Sequence, residues 1–99
     1  MNLESRRAFF VGTCSVCGTG NIGICVPASG RCVVALCDEC DAVWLDSQLK
    51  DGPYDLDEPD FLCPGDGSTM RMPPARWANL AEVSAAGWAE AVIAEGNAL

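Results

Sequence analysis

The strongest constraint on this chain is a doubled cysteine pair. Cys14-Ser15-Val16-Cys17 and Cys37-Asp38-Glu39-Cys40 each hold two thiols three positions apart, and nineteen residues separate the pairs. A C-x-x-C turn aims both sulfurs into one half of a tetrahedron. Two such turns joined by a hairpin complete a four-thiolate site with Zn–S bonds of about 2.3 Å. Gly18 follows the first pair, and its freedom at positive φ lets the turn close with backbone N–H groups directed at sulfur. The pattern predicts one structural zinc ion held by Cys14, Cys17, Cys37 and Cys40. A rubredoxin-like iron would use the same ligands. Paired disulfides fit less well, because seven cysteines is an odd number. A thioredoxin-type redox pair needs a βαβ context, and the flanks here read as strands.

Length makes the metal matter. A chain of 99 residues has one small core, of the size that leans on a metal, a disulfide or a partner. Fourteen acidic residues against six basic ones give a formal net charge of −8, and four thiolates with Zn²⁺ take it to about −10. Such a chain is repelled by phosphate backbones and anionic lipid, so no direct DNA binding is expected. The absence of His removes Cys-His and Ser-His catalysis. No apolar run approaches the ~18 residues of a membrane span. The expectation is no enzyme, no small-molecule substrate and no membrane segment. Reduced thiolates at a metal point to the cytoplasm. Ser5-Arg6-Arg7-Ala8-Phe9-Phe10 has the form of a twin-arginine export signal, but cleavage near Val26-Pro27-Ala28 would discard one cysteine pair and orphan the other.

Between the pairs, residues 22–26 and 32–36 read as strands joined by Pro27-Ala28-Ser29-Gly30-Arg31, with Ile22, Ile24 and Val26 alternating onto one face. Ala8 to Val11 reads as a leading strand and Val43 to Leu45 as a following one. Trp44 is expected to cover the small core beside the metal. Cys25, Cys32 and Cys63 form no pair and read as small buried hydrophobes. A Cys25–Cys32 bridge would need an oxidising compartment. Asp66-Gly67 reads as a turn, and Cys63-Pro64-Gly65 makes no third C-x-x-C.

Past the ribbon, Asp51, Asp55, Asp57, Glu58, Asp60 and Asp66 form an acidic run without a basic residue among them. It lacks the D-x-D-x-D-G loop with a terminal Glu that calcium requires. Pro73-Pro74 precedes a predicted helical tail. Asn79 with Glu82 fits a capping box, and Leu80 and Val83 face inward. Gly87 can end or bend this helix. Trp88, Val92 and Ile93 continue the apolar stripe, placing Trp77 and Trp88 on one face of a continuous helix. The fold class that follows is small α+β. A zinc ribbon over residues 1–50, an antiparallel β-hairpin or three-stranded sheet with two cysteine knuckles, comes first. An acidic, Pro/Gly-rich connecting segment over 51–74, packed on the ribbon, follows, then a helical tail over 75–99, all in one compact domain.

Cys14-x-x-Cys17-Gly18, a hairpin, then Cys37-x-x-Cys40-Asp41-Ala42-Val43-Trp44-Leu45-Asp46 resembles the short transcription-factor-type zinc-ribbon family over about residues 11–50. Asp41-Ala42 stands where that family usually has a Gly pair, and Ser47-Gln48-Leu49 where it has Gly-Glu-Leu. The resemblance implies a zinc ribbon that docks on the transcription machinery or nucleic acid. Charge and size lead to a different expectation: a non-enzymatic, zinc-stabilised protein-binding module whose partner has a basic surface. Asp55, Asp57, Glu58 and Asp60 would steer that partner and Trp88 would anchor it. An immunity protein that plugs the basic cleft of a toxin is one such module.

Overall fold

The computed structural model describes residues 7–55 and 61–97. Its centre is a six-stranded antiparallel sheet: β1 (Arg7–Thr13), β2 (Asn21–Val26), β3 (Val34–Cys37), β4 (Val43–Trp44), β5 (Arg76–Trp77) and β6 (Ala94–Asn97), in the order β4-β3-β2-β1-β6 with β5 also paired to β2. β2 and β3 are the expected hairpin, in register Ile22↔Cys37 through Cys25↔Val34. β1 pairs with β2 only as far as Gly23, because a bulge between Phe10 and Gly12 breaks the register. β5 takes over the vacated edge opposite Cys25 and Val26, and the Ala78 N–H donates to the Ile24 carbonyl at 2.8 Å. Gly23 makes this exchange possible: a Cβ there would lie 2.8 Å from a ring carbon of Trp77.

Strand alternation places one cluster on each face of the sheet. Ile22, Ile24, Val26, Ala35, Cys37 and Trp44 face one way, and Ala78, Val83, Trp88 and Val92 cover them. Cys25, Val34, Leu36 and Val43 face the other way, under Cys63, Met70, Ala75, Phe61 and Trp77. Trp44 is buried, as expected for a side chain closing the core near the cysteines. Residues 61–77 supply the cover of this second face. The earlier part of the connecting segment is also held down. Val43 and Tyr54 exchange backbone hydrogen bonds of 2.9 and 2.7 Å, and the Asp46 carboxylate accepts from the Lys50 and Asp51 N–H groups.

The helical tail is corrected. The only α-helix among the described residues is α1 (Leu80–Ala85), six residues long. It has the capping box read from Asn79 and Glu82: the Glu82 N–H donates to Asn79 Oδ1 at 2.8 Å and the Asn79 N–H to Glu82 Oε1 at 2.9 Å. Arg76 Nη1 donates to the same carboxylate at 2.7 Å. Gly87 ends the helix at φ 80°. A 3₁₀ turn (Ala89–Ala91) follows, and then β6 pairs with the outer edge of β1, Arg7↔Asn97 through Phe10↔Ala94. Trp77 therefore lies in a strand and Trp88 beyond the helix, on no common helical face. Alanine-rich composition is a weak preference. It yields to the unpaired N–H and C=O groups of β1, which a helix would leave without partners. The Arg7–Glu95 ion pair at 2.9 Å tightens this pairing. Asn79→Ala should lower stability by about 1 kcal/mol by removing the cap. The check is a lower denaturant midpoint at unchanged m-value; an unmoved midpoint would show that the cap contributes nothing.

Candidate metal centre

The two knuckles sit at one end of the β2–β3 hairpin, one before β2 and one after β3. In the first, the Cys14 N–H donates to the Gly20 carbonyl at 2.9 Å, and Gly18 N–H returns to the Cys14 carbonyl at 3.1 Å. That closure fixes Gly18 at φ 80°. Val16 N–H then points at Cys14 Sγ and Gly20 N–H at Cys17 Sγ, both at 3.3 Å. In the second knuckle, Cys37 N–H donates to the Ala42 carbonyl at 2.9 Å, and the Glu39 and Cys40 N–H groups both lie 3.4 Å from Cys37 Sγ. Asp41 occupies the position corresponding to Gly18, with φ 65°. Asp41 thus closes this turn as Gly18 closes the first, since Asp is among the few side chains that enter the left-handed region.

The knuckles are locked to one another. Asn21 N–H donates to Asp38 Oδ1 at 2.9 Å, Asp38 N–H to the Asn21 carbonyl at 3.0 Å, and the Thr19 hydroxyl to Glu39 Oε1 at 2.7 Å. This brings Cys14 Sγ to 3.7 Å from Cys40 Sγ and Cys17 Sγ to 3.8 Å from Cys37 Sγ, with all four sulfurs within 4.8 Å of one another. A tetrahedron with Zn–S arms of about 2.3 Å has an edge of about 3.8 Å. The sulfur set thus fits one metal ion, and it is far too wide for disulfide bonds of about 2.0 Å. Cys14 and Cys37 are buried, while Cys17 and Cys40 lie to the outside.

The surroundings treat the sulfurs unequally. N–H groups of Thr19 and Gly20 favour the thiolate and pull the Cys17 thiol down to about 6, whereas burial pushes Cys37 up to about 12. A bound divalent cation reverses the second effect, because a coordinated thiol is deprotonated. The N–H donors already aimed at Cys14, Cys17 and Cys37 then offset part of the negative charge of four thiolates.

One residue of the centre escaped the sequence reading. Gly20 looks like ordinary turn chemistry. In the fold, a Cβ on it would lie 2.4 Å from Cys37 Sγ and 3.2 Å from Asp38 Oδ1. It is the gap through which the second knuckle reaches the first. Its only signal in the sequence is its place just after the C-x-x-C-G turn.

Of the residues expected to meet a partner, Asp55 is exposed and Trp88 is half-buried against the core cluster. Asp57, Glu58 and Asp60 lie outside the described residues. Asp51 and Asp66, in the same acidic run, are engaged: Asp51 accepts from the Tyr54 hydroxyl at 2.6 Å, and Asp66 accepts from Ser29 and Ser68. No helix among the described residues is long and apolar enough to cross a membrane. No family model matches the chain, and neither the curated proteins nor the solved structures contain a significant match to it.

Proposed function

We propose that this chain is a non-enzymatic protein-binding module whose sheet is stapled by one structural zinc ion. The observation that carries the reading is the closed four-sulfur set. Four thiolates at tetrahedral spacing use every position that zinc offers in a structural site, leaving none for water or substrate. What the metal supplies is folding free energy and a rigid end to the hairpin. The sulfur set would hold Fe²⁺ or Fe³⁺ as well, and the doubled C-x-x-C spacing is the ground for proposing zinc.

The partner proposed is a protein with a basic surface. The chain's formal charge of −8 favours such a surface and opposes phosphate. Its six basic residues are scattered along the sequence, and among the described ones Arg7 is paired with Glu95 and Arg76 with Glu82, which does not favour a nucleic-acid backbone. The acidic segment around Asp55, Asp57, Glu58 and Asp60 would steer association, and Ile93 and Leu80, which is exposed rather than facing inward as expected, offer apolar contact in addition to half-buried Trp88. A toxin's basic cleft, plugged as an immunity protein plugs one, is a partner of this kind. The test uses the partner recovered from the source cell. Replacing Asp55, Asp57 and Asp60 by Asn and Glu58 by Gln should slow association about tenfold at low salt and flatten its salt dependence. Unchanged association would remove the segment from the interface. Micromolar binding to double-stranded DNA at physiological salt would favour the transcription reading instead.

A further inference from the structure

The four-sulfur set has an inner and an outer half. Cys14 and Cys37 are buried within the core cluster, whereas Cys17 and Cys40 are exposed. Val16, in the first turn, is 52% exposed, so this side of the first knuckle faces solvent. The inner half is anchored by the sheet. Cys37 ends β3 and its sulfur takes two N–H groups, and Cys14 directly follows β1. Each close contact across the knuckles joins one inner and one outer sulfur, Cys14 to Cys40 at 3.7 Å and Cys17 to Cys37 at 3.8 Å. The set therefore opens only if one knuckle parts from the other.

Two links resist that parting, and they differ in kind. The link through Asn21 and Asp38 uses both backbone N–H groups and prolongs the β2–β3 pairing. The other joins two exposed side chains, with the Thr19 hydroxyl 2.7 Å from Glu39 Oε1. Thr19 Oγ1 also lies 3.8 Å from Cys17 Sγ, and Glu39 immediately precedes Cys40. The single hydroxyl proton goes to the carboxylate, the nearer acceptor and a charged one. The stem of Glu39 passes over Gly20, where an added Cβ would lie 3.2 Å from Glu39 Cβ. Apart from the sulfurs themselves, no other side-chain pair among the described residues bridges the two knuckles by a hydrogen bond.

We propose that the Thr19–Glu39 hydrogen bond is a latch over the exposed half of the metal centre, and that metal is exchanged through Cys17 and Cys40. The inference rests on the four-cysteine centre proposed above. Exchange is a ligand substitution. A donor atom of a thiolate or aminocarboxylate acceptor bonds the ion from the open side as the bond to Cys17 or Cys40 breaks. The freed thiolate takes a proton from water or buffer, and no electron is transferred. Thr19 and Glu39 are positioning residues, which touch no metal and act by keeping the outer turns together. A latch that must open for both loading and release changes the two rates alike and leaves the affinity where it is. A contact that only steadies the loaded site changes release and affinity by the same factor.

The experiment follows zinc transfer from the loaded, full-length chain to an excess of a chromophoric chelator by stopped flow, after native mass spectrometry has counted the bound metal. Thr19→Val and Glu39→Ala should each speed release about tenfold, the order of factor that a hydrogen bond to a charged group supplies. Affinity from equilibrium competition and the melting temperature should stay nearly unchanged. Thr19→Ser keeps the hydroxyl and should restore the slow rate. The double variant should be no faster than either single one, since both remove the same bond. Limited alkylation of the loaded chain, mapped by mass spectrometry, should reach Cys17 and Cys40 before Cys14 and Cys37. Wild-type release from Thr19→Val would overturn the latch, and so would a loss of affinity in step with the faster release. Earlier labelling of the buried pair would overturn the exchange route. A chain that carries no metal equivalent would overturn the centre itself, whereas a loaded chain that fails these measurements overturns the latch alone.

Discussion

Cys37→Ser should abolish tight metal binding and the cooperative melting transition together. Cys37 ends β3, is fully buried, and its sulfur receives two N–H groups while sitting 3.8 Å from Cys17 Sγ. A serine hydroxyl is not ionised at neutral pH and cannot replace the thiolate. The magnitude decides the outcome. Structural zinc contributes on the order of 10 kcal/mol of apparent folding free energy in small domains, and the whole net stability of a domain is about 5–15 kcal/mol. Losing one of four ligands therefore removes a quantity comparable to everything that holds the fold. Cys63→Ser is the matched control, since Cys63 is equally buried but at the far end of the sheet. It should keep the tight ion and a melting transition. Metal content and thermal unfolding measured on both variants make the check. Equal loss of the tight ion in both would mean that the ligand set has been misassigned.

Gly20→Ala is the second large effect expected, and it substitutes no metal ligand. The added methyl meets Cys37 Sγ at 2.4 Å, well inside van der Waals contact. The sulfur has little freedom to yield, because it is held by the Glu39 and Cys40 N–H groups and would be held further by a bound metal. Overpacking in a core costs about 1–3 kcal/mol when side chains can shift. Here the shift also opens the sulfur tetrahedron, so zinc affinity should fall at least a hundredfold. Gly18→Ala, whose Cβ meets nothing within 4 Å, should act through its positive φ alone and cost about 1 kcal/mol. Competition with a chelator of known affinity measures both. Equal affinities for the two variants would show that contact with Cys37 is not what Gly20 avoids.

The parts legible in the sequence are those fixed by short spacing. The two C-x-x-C turns needed only four neighbouring residues each, and the capping box at Asn79 needed the same. The β2–β3 hairpin followed from alternation on either side of a Pro/Gly loop, and Trp44 from its place after the second knuckle. What was not legible was set by distant pairing. Ala94–Asn97 carries no strand pattern, and it becomes one because β1 has an open edge almost ninety residues earlier. Arg76–Trp77 is a strand because a bulge at Val11 frees half of one edge of β2. The same limit hid the docking of the Asp66-Gly67 turn on the hairpin loop, where the Ser29 hydroxyl donates to Asp66 and the Ala28 N–H to the Thr69 carbonyl. In each case the local sequence permits the observed conformation, and a remote backbone or side chain selects it.

The acidic run illustrates how charge patterns overstate availability. Read linearly, its carboxylates are equivalent and free. In the fold, Asp51 accepts from Tyr54 and Asp66 is the most engaged carboxylate of the hairpin end, while Asp55 stays exposed. Among the described residues of the run, Asp51, Asp55 and Asp66 are all exposed, and Asp51 and Asp66 carry the hydrogen bonds given above, so the substitutions proposed above leave these two in place.

X-ray absorption at the zinc K edge tests the central claim most directly. The sample is the chain dialysed to its tightly held equivalent. Four sulfur donors at tetrahedral spacing predict a first shell of four Zn–S contacts at about 2.3 Å and no nitrogen or oxygen. A shell in which oxygen or nitrogen replaces one or more sulfurs would contradict the assignment of Cys14, Cys17, Cys37 and Cys40 as the complete ligand set.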